Sequence, residues 1–181
     1  MADRGLFLGR FQPFHLGHLE VAKRLAAQHD ELAIAVGSAQ VSHTPSNPFT
    51  AGERVEMAHD ALREAGVSNA LVMPLPDVGR NSVWVSHVKS FVPAFSILYT
   101  NNPLMTRLFG EAGVKVAPAP FHARERFEGA RIRALMREGD AGWRALVPPA
   151  TARVVDACDG ERRVRDIATA GVVVEGSDPE V

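Results

Sequence analysis

Short apolar runs alternate with amphipathic stretches along most of this chain, and that rhythm admits few folds. Gly5-Leu6-Phe7-Leu8-Gly9 is apolar at successive positions, as a strand buried on both faces must be. Leu16 to Gln28 then carries apolar residues at 16, 19, 22, 25 and 26, the spacing of one helix face. Leu32 to Val36 repeats the strand pattern and ends at Gly37. Further strands are expected over 70–75, 96–99 and 114–117, with helices over 51–65, 82–92 and 103–112 between and after them. Thr50-Ala51-Gly52-Glu53 offers a capping box to the second helix, and Pro93 stops the third. Three more helices are expected over 130–138, 150–158 and 161–168. Strands that alternate with helices form a parallel sheet covered on both faces. The fold class expected is therefore α/β, a doubly wound parallel sheet with a C-terminal helical segment. Ligands of such sheets bind beyond the carboxyl ends of the strands. The loops after Gly9, Gly37, Leu75, Tyr99 and Ala117 are thus the places to look for a site.

Size and composition fit one domain over residues 1–170, with a flexible tail expected over 171–181. The 181 residues are 46% hydrophobic and 23% charged, enough apolar material for a core. The net charge of -1 gives no overall positive field, so nucleic acid is not an expected partner and any phosphate-binding groups must be local. Cys158 is the single cysteine, so no internal disulfide can form, and a helix packing role is expected for it. No signal pattern precedes the first strand, and no apolar run approaches the ~20 residues of a membrane span. No membrane partner is expected, and the expected location is cytoplasmic.

The chemistry concentrates in the first loop, Gly9-Arg10-Phe11-Gln12-Pro13-Phe14-His15-Leu16-Gly17-His18. Two histidines three apart open a helix, whose free N–H groups and partial positive charge suit phosphate. Gly17 would let a phosphate chain approach the backbone. His15 and His18 share one face of the first turn and can donate to one group. Their spacing is not the i, i+4 pattern of a zinc helix, and no cysteine or acidic ligand lies nearby, so no metal ligand is assigned. Either histidine alone would be read as structural; the strand, the Gly-Arg pair and the His-x-Gly-His string together favour phosphate. Dinucleotide-binding GxGxxG and P-loop GxxxxGK[ST] strings are both missing.

That string resembles the HxGH signature of the nucleotidyltransferase superfamily. More narrowly, GRFQPFHLGHLE is similar to the archaeal-type nicotinamide-nucleotide adenylyltransferases. Supporting segments are Gly37-Ser38-Ala39-Gln40, Ser42-His43-Thr44, Asn47 through Arg54, Asn81 through Val88, Asn102-Pro103-Leu104, and Trp143-Arg144 through Val147-Pro148. The resemblance covers roughly residues 5 to 168. It implies a Rossmann-like HxGH fold and transfer of AMP from ATP to nicotinamide mononucleotide (NMN), or also to its nicotinate analogue, giving NAD and pyrophosphate. It implies ATP contacts at Gly9, Arg10, Phe11, His15, Gly17, His18, Gly129, Ile132 and Arg133. His15, His18, Arg10 and Arg133 would carry the charge stabilisation.

Ser38, Asn81 and Trp84 would bind NMN, with Asn81 and Trp84 reading the nicotinamide. An indole stacks on a cationic pyridinium and an amide meets the carboxamide. Without the resemblance, Trp84 reads as a core aromatic. Mg²⁺ would accompany ATP, and a homo-oligomer, often a hexamer, is implied. One segment departs from the pattern. Glu128-Gly129-Ala130-Arg131-Ile132-Arg133 keeps the glycine and the Ile-Arg pair, but Glu128 and Ala130 stand where relatives carry hydroxyls. The helix N-terminus and Arg133 would remain to hold phosphate. Two alternatives stay open from the residues: another HxGH transferase with a different acceptor, and a nucleotide-binding module without catalysis.

Overall fold

The computed structural model describes residues 3–120 and 127–170. The expected tail over 171–181 lies outside the described residues. Five parallel strands form one sheet in the order β3-β2-β1-β4-β5: β1 (Arg4–Gly9), β2 (Glu31–Val36), β3 (Ala70–Pro74), β4 (Ile97–Tyr99) and β5 (Lys115–Ala117). Helices α1 (Leu16–Ala26), α2 (Ala51–Glu64), α3 (Trp84–Phe91) and α4 (Pro103–Glu111) connect them. α5 (Gly129–Glu138), α6 (Pro149–Ala157) and α7 (Gly160–Thr169) follow. The two termini of the first helix-strand repeat are in register, with Gly9 opposite Val36, and Phe7 faces Tyr99 on the other flank.

Neighbouring residues of each strand point to opposite faces, and the sequence loads both faces with apolar side chains. Phe7, Ile34, Val36 and Tyr99 pack with α1, α2 and α5 through α7. Leu6, Ala33, Ala35 and Leu98 pack with α3 and α4. Small alanines on β2 let the second pair of helices approach closely. The carboxy-terminal helices close the first face. Trp143 is fully buried and donates its indole N–H to Glu161 at 3.2 Å. Arg163 grips Glu53 with two nitrogens at 2.7 and 2.9 Å, tying α7 to the start of α2.

The expected capping box at α2 is present: Thr50 accepts from the Glu53 N–H and Glu53 accepts from the Thr50 N–H. The helix expected from residue 82 instead begins as a 3-10 turn over Asn81–Val83, and a second 3-10 stretch over Ala141–Leu146 has no strong signal in the sequence. Strand order reverses between β1 and β4, because β1 to β3 run outward one way while β4 and β5 lie on the other side. That reversal opens a crevice beyond the carboxyl ends of β1 and β4, where sheets of this class take ligands.

Candidate active site

β1 delivers its loop to that crevice, and a second capping box builds the loop's far end from histidines. His15 is the N-cap of α1. Its Nδ1 accepts the His18 N–H at 3.2 Å, and His18 Nδ1 accepts the His15 N–H at 3.3 Å. The rings stack with centroids 3.4 Å apart and planes 15° from parallel. Because both Nδ1 atoms accept backbone protons, each neutral ring carries its own proton on Nε2. Each histidine therefore has one N–H donor left to offer. Burial pulls the His15 pKa down to about 4, and it pulls His18 well below the usual histidine range, with His15 adding to the effect. At neutral pH the pair is two uncharged donors.

Two cavities open at the strand ends. The larger, of about 310 Å³, is lined by Phe11, His15, Gly17, His18, Asn101, Phe127, Glu128 and Gly129, among others. The smaller, of about 70 Å³, is lined by Arg10, Gly37, Ser38, Asp77, Trp84, Asn102 and Met105. Leu8, Gly9 and Thr100 line both, so the ends of β1 and β4 form a shared wall. α5 starts at the larger cavity, and its N-cap Glu128 makes no side-chain capping bond, so the first-turn N–H groups keep their donor capacity. Phe11 has φ of 51° and Ser38 has φ of 49°, left-handed conformations that side chains disfavour and that here shape both loops.

A buried arginine holds those loops. Arg54 of α2 is 0% exposed, and its guanidinium donates to the carbonyls of Gly37 at 2.7 Å, Arg10 at 2.9 Å, Ser38 at 3.0 Å and Thr50 at 3.2 Å. Its pKa is pushed down to about 10, first by burial and then by nearby Arg10, with Asp77 and Glu53 opposing the change. Arg133 is also pushed down, first by burial and then by Arg10. Arg10, on the wall of the smaller cavity, thus bears on both buried guanidinium groups, a field that an anion beside it would relieve.

The sequence comparisons agree with this arrangement. Residues 6–134 match the cytidylyltransferase-like family. The nicotinamide-nucleotide adenylyltransferase of Methanothrix thermoacetophila is 50% identical over 165 residues, covering 91% of this chain and 96% of that protein. That of Archaeoglobus fulgidus is 49% identical over 170 residues, covering 91% and 97%. The chain belongs to the nicotinamide-nucleotide adenylyltransferases of the cytidylyltransferase-like family. The fold agrees as well. A bifunctional NMN adenylyltransferase/ADP ribose pyrophosphatase from Francisella tularensis, solved with AMP and a manganese ion, superposes with a TM-score of 0.71 at 20% identity. The match covers 94% of this chain and 54% of that one, so this chain spans about half of the bifunctional protein. A putative nicotinate-nucleotide adenylyltransferase from Vibrio parahaemolyticus gives a TM-score of 0.61 at 14% identity, covering 90% of this chain and 96% of that one.

Within this adenylyltransferase the sequence-derived residues divide. Gly9, Phe11, His15, Gly17, His18 and Gly129 line the larger cavity, and Arg10, Ser38 and Trp84 line the smaller. Trp84 is a core aromatic, 5% exposed on the second face, and it also forms cavity wall. Packing within the loop also demands glycine at position 17. A Cβ there would sit 2.9 Å from the Phe127 Cβ and 3.1 Å from His15 Nδ1.

Three residues lie elsewhere. Ile132 is fully buried in the core, because it faces inward from α5. Arg133 lines neither cavity; its guanidinium donates to the Gln12 carbonyl at 2.7 Å and the Pro45 carbonyl at 3.2 Å, pinning α5 to two loops. Asn81 is exposed on the 3-10 turn and lines neither cavity. Sequence reasoning missed Thr100, Asn101, Asp77 and Arg54. The first three follow strands whose ends had been singled out, so position relative to the strand end was the available signal.

Proposed function

We propose that this chain transfers AMP from ATP to NMN, giving NAD and pyrophosphate. The observation that carries the reading is the pair of cavities sharing the Leu8-Gly9 and Thr100 wall, with uncharged histidine donors on one side and Arg10 and Trp84 on the other. The larger cavity takes ATP, its phosphates reaching toward His15, His18 and the first turn of α5. The smaller takes NMN, with its ring on Trp84, Ser38 beside it and its phosphate near Arg10. The NMN phosphate oxygen attacks the α-phosphorus of ATP. A new P–O bond forms as the bond to the pyrophosphate oxygen breaks, and charge moves onto the leaving group. The His15 and His18 Nε2–H groups, Arg10 and the α5 N–H groups stabilise that charge. Arg133 supports the same phosphates from behind, through the Gln12 and Pro45 loops that it holds.

Among the described residues no three His, Cys, Asp or Glu side chains gather as a metal cage. The divalent cation assigned here, Mg²⁺, would be held by the triphosphate itself, and no step above is routed through it. Residues 1–170 are assigned to one nucleotidyltransferase domain acting in the cytoplasm as a homo-oligomer, with a hexamer as the state to test by light scattering. No helix among the described residues is long and apolar enough to cross a membrane. The test is to supply ATP, Mg²⁺ and NMN and to read NAD with an NAD-dependent dehydrogenase. NAD should appear in step with pyrophosphate. ATP breakdown without NAD, or no reaction, would remove the proposal.

A further inference from the structure

We infer that Thr151, on α6, is a positioning residue for the histidine pair, because its hydroxyl sets the peptide group that orients the His18 ring. The inference rests on the AMP transfer proposed above. Thr151 lies beyond residues 6–134, the stretch that matches the cytidylyltransferase-like family. It is fully buried, and its hydroxyl donates to the Phe14 carbonyl at 3.0 Å across 137 residues of chain. Phe14 is fully buried as well, so the bond is shielded from water. The carboxy-terminal helices thus reach the loop that carries the chemistry.

The Phe14 carbonyl and the His15 N–H belong to one planar peptide group. That N–H donates to His18 Nδ1 at 3.3 Å. One rigid plate is therefore held at both edges, by Thr151 at the oxygen and by His18 at the nitrogen. The two holds differ in kind. Thr151 stands on a helix packed into the core, with Ala150, Val154 and Val155 buried around it in sequence. The imidazole turns about its own side-chain torsions. Orientation therefore passes from Thr151 through the peptide to the ring. With the oxygen released, the plate can rotate about the bonds that flank it and swing its N–H away from Nδ1. His18 then loses the contact that selects its Nε2–H tautomer, and that Nε2–H is the donor offered to phosphate. Two other carbonyls of the loop are held from outside in the same way, Arg10 by Arg54 and Gln12 by Arg133. Thr151 completes the series at Phe14, the last residue before the His15 cap.

A bond that only fastens α6 to the loop is the competing explanation. It would lower Tm on removal but leave the folded enzyme's kcat and the His18 tautomer as they are. Positioning moves both, and it moves kcat more than KM, because the donor acts on charge that develops as the leaving group departs.

The experiment compares the full chain with Thr151→Val, which keeps the branched shape without the hydroxyl, and with Thr151→Ser, which keeps the hydroxyl. Each is measured at a temperature where circular dichroism shows it folded. The readouts are kcat, the KM values for ATP and NMN, and ¹⁵N NMR of the imidazole nitrogens, with the His18 signals assigned by their loss in His18→Ala. The parent should show His18 protonated at Nε2 and bare at Nδ1. Thr151→Val should lower kcat about 10–100-fold with both KM values within about twofold, and should mix the His18 tautomers. Thr151→Ser should stay close to the parent in both readouts. Thr151→Ala and Thr151→Ser differ by one hydroxyl, and that pair carries the same comparison if Thr151→Val does not fold. A variant without the hydroxyl that keeps the parent's kcat overturns the inference. So does a lowered kcat with an unchanged His18 tautomer, or a loss in Thr151→Ser as large as in the variant without the hydroxyl. If the parent makes no NAD, the AMP-transfer reading itself has failed; the tautomer, read without substrate, still decides whether Thr151 orients His18.

Discussion

Arg54→Met removes the guanidinium that holds the loops after β1 and β2, and its cost can be worked from the structure. The variant strips side-chain donors from the carbonyls of Arg10, Gly37, Ser38 and Thr50. The Ser38 carbonyl keeps the Val41 N–H and the Thr50 carbonyl keeps the backbone N–H of residue 54, so those of Arg10 and Gly37 are the two orphaned. Leaving a buried polar group unpaired costs about 1–3 kcal/mol each, about 2–6 kcal/mol for the pair. Against this, the variant no longer keeps a charge out of water, which offsets part of that loss and leaves a net cost of about 1–3 kcal/mol. For a chain of this size each kcal/mol lowers Tm by about 2–4 °C, so a fall of roughly 2–12 °C is expected. Thermal unfolding followed by circular dichroism reads it directly. Arg54→Lys keeps the charge but lacks the planar fork, so it should lose roughly half as much stability. Its kcat/KM should still fall by about 10–100-fold, because small displacements of catalytic loops carry penalties of that order. A Tm for Arg54→Met within 2 °C of the parent, or an Arg54→Lys with full kcat/KM, would refute the argument that this side chain sets the loops.

His18→Ala should fold and lose about 10²–10³ in kcat, since it deletes one charge-stabilising donor; near-parent turnover would remove that role. Trp84→Phe keeps most of the buried volume but loses the indole N–H that donates to Met105 Sδ, along with part of the stacking face. It should raise KM for NMN several-fold while KM for ATP stays within about twofold, because the stack is worth only about 0.5–2 kcal/mol. Acid should destabilise the fold through His15, whose pKa is held to about 4 against an ordinary 6.5. Between those values the unfolded chain binds a proton that the folded chain refuses, so stability rises with pH across the window and is lost as pH falls through it. The 2.5-unit gap corresponds to about 3 kcal/mol, and His15→Asn, a competent N-cap that does not titrate, should make the Tm-against-pH curve shallower between those values while leaving the slope that buried His18 contributes.

The sheet and its helices were readable because burial on two faces leaves a mark at every strand position. Leu32 through Val36 is apolar without a break, and all five residues are buried. The Thr50–Glu53 box was readable because both partners lie within one turn. The histidine box at α1 was not, since histidine seldom caps a helix and only its geometry shows Nδ1 turned to the backbone. Arg54 was hidden for a different reason: a charged residue near the start of an amphipathic helix looks solvated, and its carbonyl partners lie up to 44 residues away. Phe11 and Ser38 adopt left-handed backbone that a sequence reading assigns to glycine. The resemblance placed Ile132 and Arg133 at the phosphates; what no sequence pattern carried is that the helical turn buries Ile132 in the core and pairs the Arg133 guanidinium with the Gln12 and Pro45 carbonyls.

The central claim is that the α-phosphorus of ATP is attacked by the acceptor's phosphate while His15 and His18 steady the departing charge. ATP labelled at the α-phosphorus, mixed with NMN, Mg²⁺ and either the parent or His18→Ala, tests it most directly. The label should enter NAD one for one with pyrophosphate release in the parent, and the rate should collapse in the variant. Label recovered as free AMP or ADP, or equal transfer by parent and variant, would contradict it.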